Sequence, residues 1–138
     1  FGKMNMQPKV IWGHSTAYNP VKNKNYMSLV RDAFLNSQDN NSFIFNANAS
    51  YQVKIHAYFS LTKACYKKDG ITPNAKGWRQ LNNIEKPTKK PDCDNISKII
   101  CDALTGLAWR DDAQVVRLIV EKKYCPKPYV FVEITQFD

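Results

Sequence analysis

Pro91-Asp92-Cys93-Asp94-Asn95-Ile96-Ser97-Lys98-Ile99-Ile100-Cys101-Asp102-Ala103-Leu104-Thr105-Gly106 reads as one amphipathic helix with both ends marked. Pro91 keeps the backbone before it extended, Asp92 or Asp94 supplies an N-cap carboxylate, and Gly106 lies just past the last apolar residue. Ile96, Ile99, Ile100, Ala103 and Leu104 recur at three- and four-residue spacing and form a stripe for the core. This reading predicts a helix over Asp94 to Leu104.

Upstream, Tyr26 to Leu35 shows the same spacing and predicts another helix, ended by the polar run Asn36 to Ser42. Ser50 to Leu61 alternates, with Val53, Ile55, Ala57 and Phe59 on one side, and reads as a half-buried strand. A further short strand is expected within Lys3 to Trp12. Lys63 to Lys90 is a long polar connection holding Gly70, Pro73, Gly77 and Pro87, with helical character around Ala75 to Leu81. Downstream, Gln114 to Lys123 and Pro128 to Ile134 are β-rich runs flanking Tyr124 to Lys127, and Pro126 suggests an antiparallel hairpin. The order β-α-β-α-β-β predicts an α+β, two-layer fold: a mixed sheet of about four strands with two main helices packed on it. The length prior makes residues 1–138 a single domain.

Charge narrows the function. The chain carries 20 Lys+Arg against 12 Asp+Glu, a formal net charge of +8. Such a protein favours polyanions, nucleic acid before membrane, because no apolar run reaches spanning length. Its hydrophobic content of 43% is that of a globular protein, which argues against disorder. Cys65, Cys93, Cys101 and Cys125 include no C-x-x-C pair, and His14 and His56 are isolated, so a zinc site is not expected. No basic-then-apolar secretion signal opens the sequence, and reduced thiols in the cytoplasm follow as the expectation.

Against that basic background the acids cluster in two short segments, Asp92-Cys93-Asp94 and Asp111-Asp112. Clustering them works against binding a polyanion unless they hold a cation. Mg²⁺ and Mn²⁺ take carboxylate oxygens together with waters and substrate phosphates. Asp92 and Asp94, two apart in extended backbone, can face one ion. A helix turns ~100° per residue, so Lys98 follows Asp94 on one face and Asp102 follows Lys98. Asp111 and Asp112 stand before a strand, where a carboxylate can swing back over the helix start. Taken singly, each residue has an ordinary explanation: a cap, a turn, a surface ion pair of Lys98 with Asp94 or Asp102. Together, in a basic chain, they point to metal-assisted phosphodiester chemistry. An EF-hand is excluded, because Ile96, Ser97 and Ala103 occupy positions that loop needs for a ligand, a glycine and a glutamate.

The run Lys90-Pro91-Asp92-Cys93-Asp94-Asn95-Ile96-x-Lys98-x-x-x-Asp102-Ala103-Leu104, followed by Gly106-x-x-Trp109-x-Asp111-Asp112-Ala113-Gln114-Val115-Val116, resembles the signature of RusA-type Holliday junction resolvases. These are small, homodimeric, Mg²⁺-dependent endonucleases of bacteria and their phages. The match is specific from Lys90 to Lys123 and extends more weakly to Tyr18-Asn19-Pro20 and the first helix. The resemblance implies Asp92, Asp94 and Asp112 as metal-binding catalytic acids and Lys98 as their basic companion. Asp111 stands beside the metal site, and Asp102 is structural. It further implies Mg²⁺ as cofactor, with Mn²⁺ as substitute, and branched DNA as substrate. The region Met6-Gln7-Pro8-Lys9-Val10 departs from the arginine-rich start of relatives.

Lys86, Lys89 and Lys90 immediately precede the acids and suit phosphate clamps, although such runs are commonly solvated loop faces. Tyr66 and Trp78 are candidates for stacking on unpaired bases, with Trp78 more simply a core plug and Trp109 a packing residue. Three functions are compatible with these features: a metal-dependent endonuclease resolving four-way junctions, a nuclease of the same chemistry for flaps or other branches, and a catalytically idle branched-DNA-binding protein. Two cuts at one symmetric junction favour a C2 homodimer, with Tyr129 to Ile134 and the N-terminal segment as interface candidates.

Overall fold

The computed structural model describes residues 9–14, 23–37 and 46–137, with side chains for residues 26–37 and 46–137. In chain order the elements are β1 (Lys9–His14), α1 (Asn23–Asn36), β2 (Ser50–Ser60), a 3₁₀ turn (Lys63–Cys65), α2 (Ala75–Leu81), α3 (Cys93–Leu104), a second 3₁₀ turn (Asp112–Gln114), β3 (Val115–Cys125) and β4 (Tyr129–Phe137). The architecture is α+β. The expected elements are present, and the helical character around Ala75 resolves as a third, short helix.

The four strands lie in the order β1-β4-β2-β3. β2 and β3 run parallel, and the connection between them carries α2 and α3. β4 is antiparallel to both β1 and β2, which makes the sheet mixed. The expected β3–β4 hairpin does not form, because β2 lies between the two strands. Burial explains the choice. Val130, Val132 and Ile134 of β4 pair with Ala57, Ile55 and Val53 of β2, and all six are buried. That apolar row requires a central strand. β3 carries Arg117, Glu121, Lys122 and Lys123 and leaves Val116 and Leu118 exposed, which suits an edge. β4 is therefore hydrogen-bonded on both sides, so its apolar run offers no free edge for pairing with a second copy.

The helices cover one face of the sheet. Tyr26, Val30 and Phe34, one turn apart on α1, are buried with Ile96, Ile99, Ile100, Ala103 and Leu104 of α3. The two helices pack together, and Arg31 Nε donates to the Ala103 carbonyl at 2.8 Å. Alternation along β2 is complete from Tyr51 to Ala57, odd residues buried and even ones half-buried. Trp109 is fully buried, its ring 5.8 Å from that of Tyr51 and its Nε1 donating to Thr105 Oγ1 at 3.1 Å. It packs the turn after α3, as expected. Trp78 does not plug the core: it is 58% exposed on α2.

The excursion from residue 61 to residue 90 is organised by polar contacts. Asn74 caps α2 by accepting from the Gly77 N–H, and Cys65 Sγ, Gln80 and Glu85 form a chain of side-chain hydrogen bonds closed by Lys76. Gly77 lies against the Cys65 carbonyl so closely that a Cβ there would overlap it. Tyr18-Asn19-Pro20, residues 3–8 and most of the N-terminal segment lie outside the described residues.

Candidate active site

α3 begins where its sequence says it should. Asp92 is the N-cap, in extended backbone, and its Oδ1 accepts the Asn95 N–H at 2.8 Å. Asp94 sits in the first turn, where a carboxylate complements the positive end of the helix dipole. Both are exposed, and the Asp94 carboxylate has no hydrogen bond or ion pair among the described residues. Asp92 keeps its second oxygen uncommitted among the described residues.

The segment leading into this cap is anchored from the sheet. Lys122 of β3 directs its ammonium to two backbone oxygens, Lys89 O at 2.7 Å and Pro91 O at 2.9 Å. It thereby fixes Lys89, Lys90 and Pro91 against the strand and sets the position of Asp92. Pattern reading missed this lysine, since a charge 31 residues downstream of Pro91 carries no local signal. Lys89 and Lys90 are exposed, with their ammonium heads unengaged among the described residues. Lys86 instead donates to the Asn83 carbonyl at 2.8 Å.

Along α3, Asp94, Lys98 and Asp102 follow one another at four-residue steps and share one exposed stripe, with buried Cys101 beside it. Lys98 Nζ is 3.8 Å from Asp102 Oδ2, an exposed pair whose contribution to stability is small, and no contact joins it to Asp94. Cys101 is buried, and its thiol is pushed up to about 12, first by burial and then by the charges of Asp112 and Asp102. Asp112 thus lies near enough to Cys101 of α3 for its charge to act there.

The two adjacent aspartates have separate roles. Asp111 is the N-cap of the second 3₁₀ turn, accepting from Ala113 N at 3.0 Å. Gln114 closes a capping box by accepting the Arg110 and Asp111 N–H groups, and its amide donates to the Asn46 and Ala49 carbonyls. Asp111 is thus held structurally, and Asp112 is presented with no hydrogen bond or ion pair of its own among the described residues. Gln114 was not singled out from sequence, although Asp111-x-x-Gln114 is a cap signature.

Among the described residues no three His, Cys, Asp or Glu side chains sit close enough together to hold a metal ion. Asp92 and Asp94 lie at the α3 N-terminus, and Asp112 stands in the second 3₁₀ turn. The donor chemistry is nevertheless hard oxygen, uncommitted and exposed. That fits Mg²⁺, which commonly rests on one or two carboxylates with waters and substrate phosphates completing its shell. Asp92 and Asp94 fit such a group.

Comparison with known proteins gives two findings. The family model described as "Endodeoxyribonuclease RusA" matches residues 3–135. An uncharacterized protein of Bacillus subtilis (strain 168), YqaN, is 33% identical over 117 residues, covering 85% of this chain and 76% of that protein. Among the described residues no helix is long and apolar enough to cross a membrane.

Proposed function

The chain belongs to the RusA endodeoxyribonuclease family, and from that premise we propose that it resolves Holliday junctions by metal-dependent hydrolysis of DNA phosphodiesters, in recombination and repair. One observation carries this reading: uncommitted carboxylates, Asp94 and the second oxygen of Asp92, at the start of α3 in a chain of net charge +8. An acidic spot there repels DNA unless a cation joins them.

Asp92 and Asp94 would hold Mg²⁺, or Mn²⁺ in its place. The metal, when bound, supplies Lewis-acid stabilisation of the phosphate and lowers the pKa of a bound water. The residues of the chain do the rest. Lys122 fixes the approach to Asp92, and Lys89 and Lys90 draw the strand's phosphates towards the carboxylates. Lys98 exchanges its weak pairing with Asp102 for the phosphate oxygen on which charge develops. Asp112, presented from the turn before β3, would complete the acidic surface when substrate is present. Asp111 keeps that turn in place.

The substrate's symmetry extends the proposal to assembly. One chain carries one such site, and two incisions at a junction are met by a C2 homodimer. The setting is the cytoplasm of a bacterium, with the gene its own or a phage's.

Incubation of a synthetic four-way junction with Mg²⁺, Mn²⁺ or EDTA tests the chemistry. Paired incisions are expected with either metal and none in EDTA. Cleavage that persists in EDTA contradicts the mechanism. A panel with flaps and replication forks separates junction resolution from a broader branch nuclease. A specific observation favours the idle DNA-binding reading: the acids form no ready three-ligand group. Binding without cleavage under every metal would establish it.

A further inference from the structure

A small cleft borders the segment that leads into α3. It encloses about 110 Å³ between Phe59 of β2, Tyr124 of β3 and the segment that carries Pro87, Lys89 and Lys90. Both aromatic rings are half-buried and Pro87 is buried, while the two lysines are exposed. The cleft therefore has apolar walls and two exposed lysines in its lining. Lys122 builds it: its ammonium lies 5.8 Å from the centre of the Phe59 ring and holds the Lys89 and Pro91 carbonyls. One anchor thus sets both the cleft wall and the Asp92 cap.

We propose that this cleft is a subsite for one unpaired nucleotide beside the phosphate that is cut. Its base stacks on Tyr124 and Phe59, and Lys89 and Lys90 meet its phosphate. The inference rests on the nuclease reading and adds a recognition element to it. Aromatic faces paired with cations suit a chain of flat bases on an anionic backbone, and stacking tolerates any base because every base has a π-face. The location fits as well. Lys90 is two residues from Asp92, at most about 7 Å of chain, so a base seated there belongs to a nucleotide adjoining the carboxylates. Paired, stacked duplex keeps its bases out of such a cleft, and a branch point releases them.

The test uses protein carrying Asp94→Asn, so that nothing is cut, and a synthetic four-way junction with a single abasic nucleotide moved position by position around the branch. At one position next to the phosphate that wild-type protein cuts, the abasic nucleotide should weaken binding by about tenfold. Adding Tyr124→Leu, which keeps apolar bulk but removes the ring, should weaken binding of the intact junction by a similar factor and abolish the abasic penalty. Exchanging the exposed Lys89 and Lys90 for alanine, which does not burden the fold, should reduce the slope of log affinity against log salt by about 0.7 to 0.9, the contribution of one phosphate. A flat abasic scan, or a penalty that persists unchanged in Tyr124→Leu, overturns the subsite, as does an unchanged salt slope. A coupled loss at Tyr124 in a protein whose wild-type form never cuts leaves the nucleotide subsite standing and sinks only the nuclease reading.

Discussion

Trp78 and Trp109 show how one residue type can serve opposite ends. Trp109 is fully enclosed against Tyr51, whereas Trp78 projects from α2 with more than half its surface in water. Replacing Trp109 by alanine should cost ~3–5 kcal/mol, the usual range for an emptied aromatic site. Trp78→Ala should stay within about 0.5 kcal/mol. Urea unfolding of both variants checks this, and comparable losses at the two sites would contradict the placement. Gly77 provides a sharper local case. A methyl group there meets the Cys65 carbonyl, so Gly77→Ala should destabilise by ~1–3 kcal/mol despite alanine's better helix propensity. An unchanged unfolding midpoint would show that the backbone yields freely. The packing of Trp109 was legible in the sequence, whereas the exposure of Trp78 and the close approach at Gly77 were not, because a residue in a polar connection gives no sign of its neighbours.

At the scale of elements, α3 combines a structural and a chemical demand at one residue. Asp92 caps the helix with one oxygen, and asparagine caps about as well. Asp92→Asn should therefore leave stability nearly unchanged while cleavage is lost, whereas Asp92→Ala should lose cleavage and also ~1 kcal/mol of stability. Full activity in Asp92→Asn would reduce this residue to a cap. The sheet's other face carries a pH dependence. Burial holds the His56 imidazole below its ordinary value, outweighing Glu121, whose carboxylate lies 3.2 Å from Nε2 without an aligned hydrogen bond. Lys123 and Lys54 push in the same direction as burial, and Glu133 opposes. The folded state thus favours neutral histidine. This contribution is complete above the unfolded value near 6.5 and is lost as pH falls through the lowered folded value. Thermal stability should drop on acidification from pH 7 to 5, and less so in His56→Leu. An identical drop in the variant would move the effect elsewhere.

Periodicity was enough to locate α1, β2 and α3, because each buries one clean face. It could not choose partners for β3 and β4. Proximity in sequence suggested a hairpin, but the buried row Val130, Val132 and Ile134 needs covering helices and a central position, and the charged β3 tolerates an edge. The site was legible in the same uneven way. Asp92 and Asp94 are local features of a helix start. The position of Asp112 depends on the course of residues 105–111 around buried Trp109, and the anchoring by Lys122 depends on packing between β3 and the approach to α3.

Over the whole molecule, net charge and the site pull in opposite directions. A net charge of +8 favours a polyanion, so DNA binding should weaken steeply with salt, while in the proposed mechanism the acids at α3 would oppose close approach until a cation joins them. Symmetric resolution asks for two such sites, so sedimentation at micromolar concentration should show a dimer. A strict monomer making paired incisions at one junction would contradict that assembly. The most direct measurement of the central claim is paired binding and cleavage of one labelled four-way junction by wild-type protein and Asp94→Asn, in Mg²⁺. The account predicts that the variant binds at least as tightly as wild type, having shed a negative charge, and cuts slower by on the order of 10²–10³ or more. Undiminished cleavage by Asp94→Asn, or a wild-type protein that binds the junction and never cuts it, would contradict it.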